Sequence, residues 1–222
     1  MEGVLVILAV AVAGAALLYL QWYQADQRRR GFAAVAAKMG LRYEATDRWN
    51  LHQHPFALFR TGNGRTAENV VYGTVDGYEV TAFDYSYYVV RSNGKTTYRQ
   101  YYRFSCAMMK LPFKTPHTIL SRESFMAGIA RAVGLGDLQF ESDEFNKAWN
   151  VKSDDARFAN YLCDARMMHW LLASKGWRFE LNGGRLLASC GQVKPHQLPR
   201  VIAAVTRFRG HVPSVVGDVF AR

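Results

Sequence analysis

Hydrophobic positions fall along this chain in two different ways. From Gly3 to Leu20 they run on without a charge, whereas beyond Gln24 they recur at helix or strand spacing. The uninterrupted run holds about 20 residues, and as a helix it would cover about 30 Å, the thickness of a bilayer's hydrocarbon core. The expectation is a retained span and not a cleaved leader, because no positive segment precedes the run and its small residues Ala11, Ala13, Gly14, Ala15 and Ala16 lie inside it. Tyr19, Trp22 and Tyr23 stand where interfacial aromatics sit, and Arg28, Arg29 and Arg30 follow. That order predicts an N-terminus outside and a cytoplasmic C-terminal part, with all six residues at the membrane interface. The Ala9/Ala13 and Ala11/Ala15 spacings are read as a generic alanine-rich span.

Beyond the span, Phe32, Val35, Ala36 and Met39 share one face of a predicted helix over residues 24–40. Gly40 is placed to end it in the left-handed conformation. Leu41–Glu44 reads as a short strand. The most legible stretch runs from Asn69 to Met109, where Asp76-Gly77 and Ser92-Asn93-Gly94-Lys95 mark turns between three long antiparallel strands. Alternation puts Phe83, Tyr85 and Tyr87 on one face and Val80, Ala82, Asp84 and Ser86 on the other. Further helices are expected from Ser121 or Ser124 to Gly134 or Gly136, from Ser142, from Ser153-Asp154-Asp155 through Leu171, and from Pro195 to Gly210. A short strand is expected at Leu138–Phe140, and Asn182-Gly183-Gly184 predicts a hairpin between Trp177–Leu181 and Arg185–Cys190. Together these elements predict an α+β fold, with a transmembrane anchor (1–23), a juxtamembrane helix (24–40) and one cytoplasmic domain (41–222) whose largely antiparallel sheet is flanked by helices.

Composition sharpens this picture in three respects. Glu2 is the only charged side chain in the first 23 residues, so the remainder carries 28 minus 17 charges, or +11. Such an excess favours anionic surfaces, and beside a span the nearest is the inner leaflet. Cys106, Cys163 and Cys190 are odd in number and form no CxxC pair, as suits buried thiols in a reducing compartment. Tyr85, Tyr87 and Tyr101, interleaved with Arg99 and Arg103, make a candidate binding face. Ordinary cross-strand packing is the stronger reading for these tyrosines, since no RNA-reader motif accompanies them.

Candidate chemistry is sparse. His52 and His54 would point to one side of an extended segment, but two imidazoles without a third ligand make no metal site. Gly62-Asn63-Gly64 lacks the remaining spacing of a phosphate loop. Asp84, Glu141, Asp143, His117 and His169 are catalytic candidates by residue type alone, and helix capping accounts for the acids near Ser142 and Ser153. No nucleophile, P-loop or zinc signature is present, so no catalytic, cofactor or metal residue is assigned.

The span, the helix ending Lys38-Met-Gly-Leu41, the hairpin from Asn69 to Tyr85, Glu141-Ser-Asp-Glu-Phe-Asn, Trp149-Asn-Val-Lys-Ser-Asp and the close from Phe208 to Pro213 resemble bacterial, mainly actinobacterial, single-span membrane proteins of unknown function. The resemblance covers nearly the whole chain. It implies topology and one-domain organisation and lends no catalytic residue. The expected function is a membrane-anchored binding or scaffold domain acting by localisation, with a protein partner or a second copy of the chain. Binding of anionic lipid, or less favourably nucleic acid, through a basic surface is the alternative, and a hydrolase-type enzyme comes last.

Overall fold

The computed structural model describes residues 2–122 and 137–220. Its first element is one unbroken helix, α1 (Glu2–Lys38), 37 residues long and therefore about 55 Å from end to end. The expected span and juxtamembrane helix are two lengths of a single rod. Its large apolar side chains from Val4 to Tyr23 are exposed, whereas Phe32 and Ala36 are buried in the core and Val35 and Met39 pack against it. Gly40 ends the helix at φ 68, and the Leu41 N–H donates back to the Ala36 carbonyl at 2.9 Å.

The strands of the described residues are β1 (Arg42–Thr46), β2 (Asn63–Val75), β3 (Tyr78–Ser92), β4 (Thr97–Lys110), β5 (Thr118–Ser121), β6 (Asp137–Leu138), β7 (Asn150–Ser153), β8 (Arg178–Asn182) and β9 (Arg185–Gly191). They form one sheet in the order β1-β2-β3-β4-β9-β8-β5-β7-β6, every neighbour antiparallel. The fold is thus α+β, as the pattern of elements predicts. Both two-residue turns take the geometry that suits right-twisted strands, with positive φ at Asp76 and Gly77 (51 and 81) and at Gly183 and Gly184 (58 and 85).

Helices α2 (Asp143–Ala148), α3 (Ala156–Leu162), α4 (Ala165–Ala173), α5 (Leu198–His211) and α6 (Ser214–Phe220) complete the described elements. Three expectations are corrected. The second strand begins at Asn63, not Asn69; Asn69 itself sits at φ 54, inside a shift of register that interrupts the alternation. The helix expected through Leu171 is two helices, because the Asp164 carboxylate accepts the Met167 N–H at 2.8 Å and starts α4 afresh. Gly210 does not close α5, which runs on to His211, and the apolar tail forms α6. Ser121 ends β5, and the helix expected from Ser121 or Ser124 to Gly134 or Gly136 lies outside the described residues.

The alternation read from β3 sets the layers. Val80 and Ala82 face a core shared with Phe32 and Ala36 of α1, Val201, Ile202, Val205 and Phe208 of α5, and Phe145, Phe158, Met167 and Leu171 of α2–α4. Phe83, Tyr85 and Tyr87 face the opposite way, into a second core with Phe104 and Cys106 of β4. Phe56, Leu58 and Phe59 roof that second core from residues 51–60, which coil as two short 3-10 turns. Both faces of β3 are therefore covered from Val80 to Tyr87.

Candidate functional site

The chemistry of the molecule gathers where α1 meets the sheet. Arg28 projects from the helix about one and a half turns past its exposed apolar length, and its Nε and Nη2 donate to Asp84 Oδ2 and Oδ1, each at 2.6 Å. Such a fork on a carboxylate fixes orientation as well as distance. The third guanidinium nitrogen donates to the Val193 carbonyl at 2.8 Å. Asp84 is 2% exposed and receives two more donors, Asn69 Nδ2 at 3.0 Å and the Ser105 hydroxyl at 3.2 Å. Tyr43 donates in turn to Asn69 Oδ1 at 3.0 Å, and burial raises its phenol above the ordinary value. One carboxylate thus ties α1 to β1, β2, β3, β4 and the link after β9. Arg28, expected at the membrane interface with Arg29 and Arg30, is turned inward. Arg29 and Arg30 remain exposed, the latter paired with Asp26 at 2.8 Å. Tyr19, Trp22 and Tyr23 form an exposed aromatic group higher on the same rod, with ring centroids 6.0 and 6.3 Å apart.

A second buried carboxylate serves the opposite face. Glu180 Oε2 accepts from Arg178 Nη2 at 2.7 Å, and Oε1 meets His117 Nε2 at 2.8 Å and the Ala57 N–H. Both oxygens are occupied, and Glu180 is 1% exposed. This group holds the 51–60 roof on the sheet, with no carboxylate oxygen left over for a substrate. Sequence reading named His117 but missed Arg178 and Glu180. The available signal was the i, i+2 spacing on a strand, which puts both side chains on one face.

The candidate binding face divides. Tyr85 and Tyr87 are 1% and 2% exposed, packed under the roof with Tyr85 4.8 Å from Phe59 and Tyr87 stacked 5.1 Å from Tyr102. Burial raises both phenols. Neither offers a surface to a partner; both pack, as in the stronger of the two readings. Arg99, Tyr101 and Arg103 are exposed on the distal half of the β3–β4 ribbon.

At the other end of the sheet a groove of about 400 Å³ lies between the roof and strands β2–β4, lined by Trp49, Tyr72, Val80, Met108, Lys110 and Arg185 among others. His54 lines it too, and burial, reinforced by Arg185, lowers its pKa. The other candidates do not converge. Among the described residues no group of three or more His, Cys, Asp or Glu gathers as a metal site. His52 Nδ1 lies 3.7 Å from an Asp47 oxygen. The acids after Ser142 sit in the first turn of α2, where the Ser142 hydroxyl accepts the Phe145 N–H at 3.2 Å. Gly62 and Gly64 cradle rings and not a phosphate: a Cβ at either would come within 2.3 Å of Tyr87 or Tyr88. All three cysteines are free and buried, and desolvation raises their pKa values, Cys190 to about 12.

No protein-family profile matches the chain, and no curated protein matches it. Among solved structures, it is similar to the crystal structure of the mycobacterial trehalose monomycolate transport factor A, TtfA, with a TM-score of 0.60 at 16% identity over 85% of this chain and 96% of that one. At that identity the likeness establishes a shared fold. A mycobacterial neighbour accords with the actinobacterial resemblance.

Proposed function

We propose that this chain is a single-span membrane protein whose cytoplasmic domain, residues 41–222, acts as an accessory binding scaffold for a membrane transport process. Residues 1–23 are its anchor and 24–40 its juxtamembrane helix, with the N-terminus outside. The observation that carries this reading is α1 itself. Its residues from Gly3 to Leu20 are exposed and carry no charge, in a helix long and apolar enough to cross a bilayer, and its last third is keyed into the sheet through Arg28 and Asp84. An anchor joined this way holds the domain in one attitude at the membrane, where effective concentration lets weak contacts suffice. The basic excess after the span favours the cytoplasmic side, and a fold shared with a transport factor supports an accessory role. The partner is a protein of the same membrane or a second copy of this chain.

The test is a pull-down of the full-length protein from gently solubilised native membranes, washed at low and then high salt. Retention of one protein, or of a second tagged copy, at high salt is expected. Recovery of lipid or nucleic acid alone, lost as salt rises, would overturn the scaffold reading. Topology is tested separately with Glu79→Cys, which an impermeant maleimide should label only once the cytoplasmic side is opened.

A further inference from the structure

Three contacts fix how the β3–β4 ribbon lies relative to the anchor. Leu41, just after α1, packs on Gly73, which pairs with Val80 early in β3. Arg28, farther toward the helix N-terminus, reaches Asp84 and Val193. Climbing α1 toward its apolar length therefore means climbing β3 toward Ser92. From Arg28 to Tyr23 is five residues of helix, about 7.5 Å. From Asp84 to Ser92 is eight residues of strand, about 26 Å. The distal ribbon thus extends as far as the level at which the apolar length of α1 begins, and beyond.

The surface it carries there fits that position. Register pairs Ser86 with Arg103, Tyr88 with Tyr101 and Val90 with Arg99. These six share the face of β3 that holds Asp84, which is the face on which α1 lies. Val90 is 50% exposed and Tyr101 53%; Arg99 stacks over Tyr88 at 4.7 Å and Arg103 over Tyr101 at 5.7 Å. From Tyr85 to Lys110 the sequence has five basic residues (Arg91, Lys95, Arg99, Arg103, Lys110) and no acid. Tyrosines beside arginines, with one end apolar and the other charged, are what the headgroup boundary of a membrane accommodates.

We propose that the distal β3–β4 ribbon is a second membrane contact. Tyr88, Val90 and Tyr101 settle at the headgroup–acyl boundary of the leaflet from which α1 emerges, while Arg91, Lys95, Arg99 and Arg103 pair with the phosphates of its anionic lipids. The proposal rests on the reading of α1 as a span, and it adds a lipid class and a surface to it. With two points of contact the sheet stands edge-on to the bilayer, and the groove at Trp49 faces away.

The experiment uses full-length protein carrying Ser92→Cys, labelled with an environment-sensitive fluorophore and placed in nanodiscs with or without phosphatidylglycerol. The native thiols are buried, so the label goes to the new cysteine; Glu79→Cys, at the other end of β3, is the control position. Co-elution with the discs reports the anchor separately. The expected result is several-fold stronger quenching of the Ser92 label than of the Glu79 label by headgroup-level brominated lipid in phosphatidylglycerol discs. It should be lost in the Arg91→Glu, Arg99→Glu, Arg103→Glu triple variant and kept when the same three are Lys. Equal quenching at the two positions would overturn the proposal. So would equal quenching with and without phosphatidylglycerol, or a blue-shifted Ser92 label that lipid does not quench.

Discussion

Asp84 and Glu180 are both carboxylates buried in one sheet, each forked or bridged by an arginine, yet they face opposite ways and hold different things. Asp84 looks toward the helices and fastens α1 through a partner 56 residues away. Glu180 looks toward the roof and fastens residues 51–60 through the Ala57 N–H and a partner only two residues away. Arg28 keeps 20% of its side chain exposed against 2% for Arg178. Desolvation is therefore nearly complete on the roof side and partial on the α1 side. A buried pair adds little net stability over an apolar substitute, but breaking one leaves an uncompensated charge. These two pairs are better understood as specifying which element sits on which face than as sources of stability.

That contrast can be broken in order of size. Arg178→Met should cost the most, about 3–5 kcal/mol, since it leaves the buried Glu180 carboxylate without its arginine; urea unfolding of the full chain in detergent measures it. Arg28→Met should cost about 2–3 kcal/mol, reduced by the solvent that already reaches Arg28. Its signature is local: proteolysis between Arg28 and Lys38 should rise several-fold, with no such rise in Arg178→Met. If both variants open the same segment, the two carboxylates do not hold separate elements. Gly62→Ala should cost about 1–3 kcal/mol through its positive φ and its approach to Tyr87, and should loosen the roof alone.

Thiol exposure and pH sharpen the comparison further. Cys106 lies in the roofed core and Cys190 in the helix-side core, and both thiols are held protonated and buried in the native protein. Thiol titration of partly unfolded variants should find Cys106 reacting first in Arg178→Met and Cys190 first in Arg28→Met. The smallest effect concerns His54. Its folded pKa lies below the ordinary 6.5, so the unfolded chain binds that proton more tightly. Stability should fall as pH drops through the ordinary histidine range, by less than about 1 kcal/mol. The His54→Gln variant should flatten that slope, as pH-dependent urea midpoints would register.

What could be read from the sequence was whatever is set locally. The apolar run of α1, the Asp76-Gly77 and Gly183-Gly184 turns and the two faces of β3 all follow from spacing and turn chemistry. Asn69 hid the start of β2, because a residue at positive φ within a register shift breaks the alternation on which a strand is recognised. Asp164 hid the break between α3 and α4, because a single cap inside an apolar pattern looks like a polar position on a continuous helix. The burial of Tyr85 and Tyr87 was illegible for another reason: their cover, residues 51–60, has no periodicity, and Glu180 attaches it from 123 residues away. The strand order that sets β5 between β8 and β7 is likewise long-range pairing. At the candidate site, Arg28, Arg29 and Arg30 read as one basic cluster, and only helical phase separates the one turned inward from its neighbours.

That phase has a consequence of its own. Because α1 passes without a hinge from its apolar length into the sheet, the helix is an axle. Each residue added between Tyr23 and Arg28 would turn the sheet by about 100° around the helix axis and lift it by about 1.5 Å. The sides of the apolar length and the faces of the sheet are thus geared to one another. The length of the segment from Gln24 to Gln27 sets the compass bearing on which the protein presents itself.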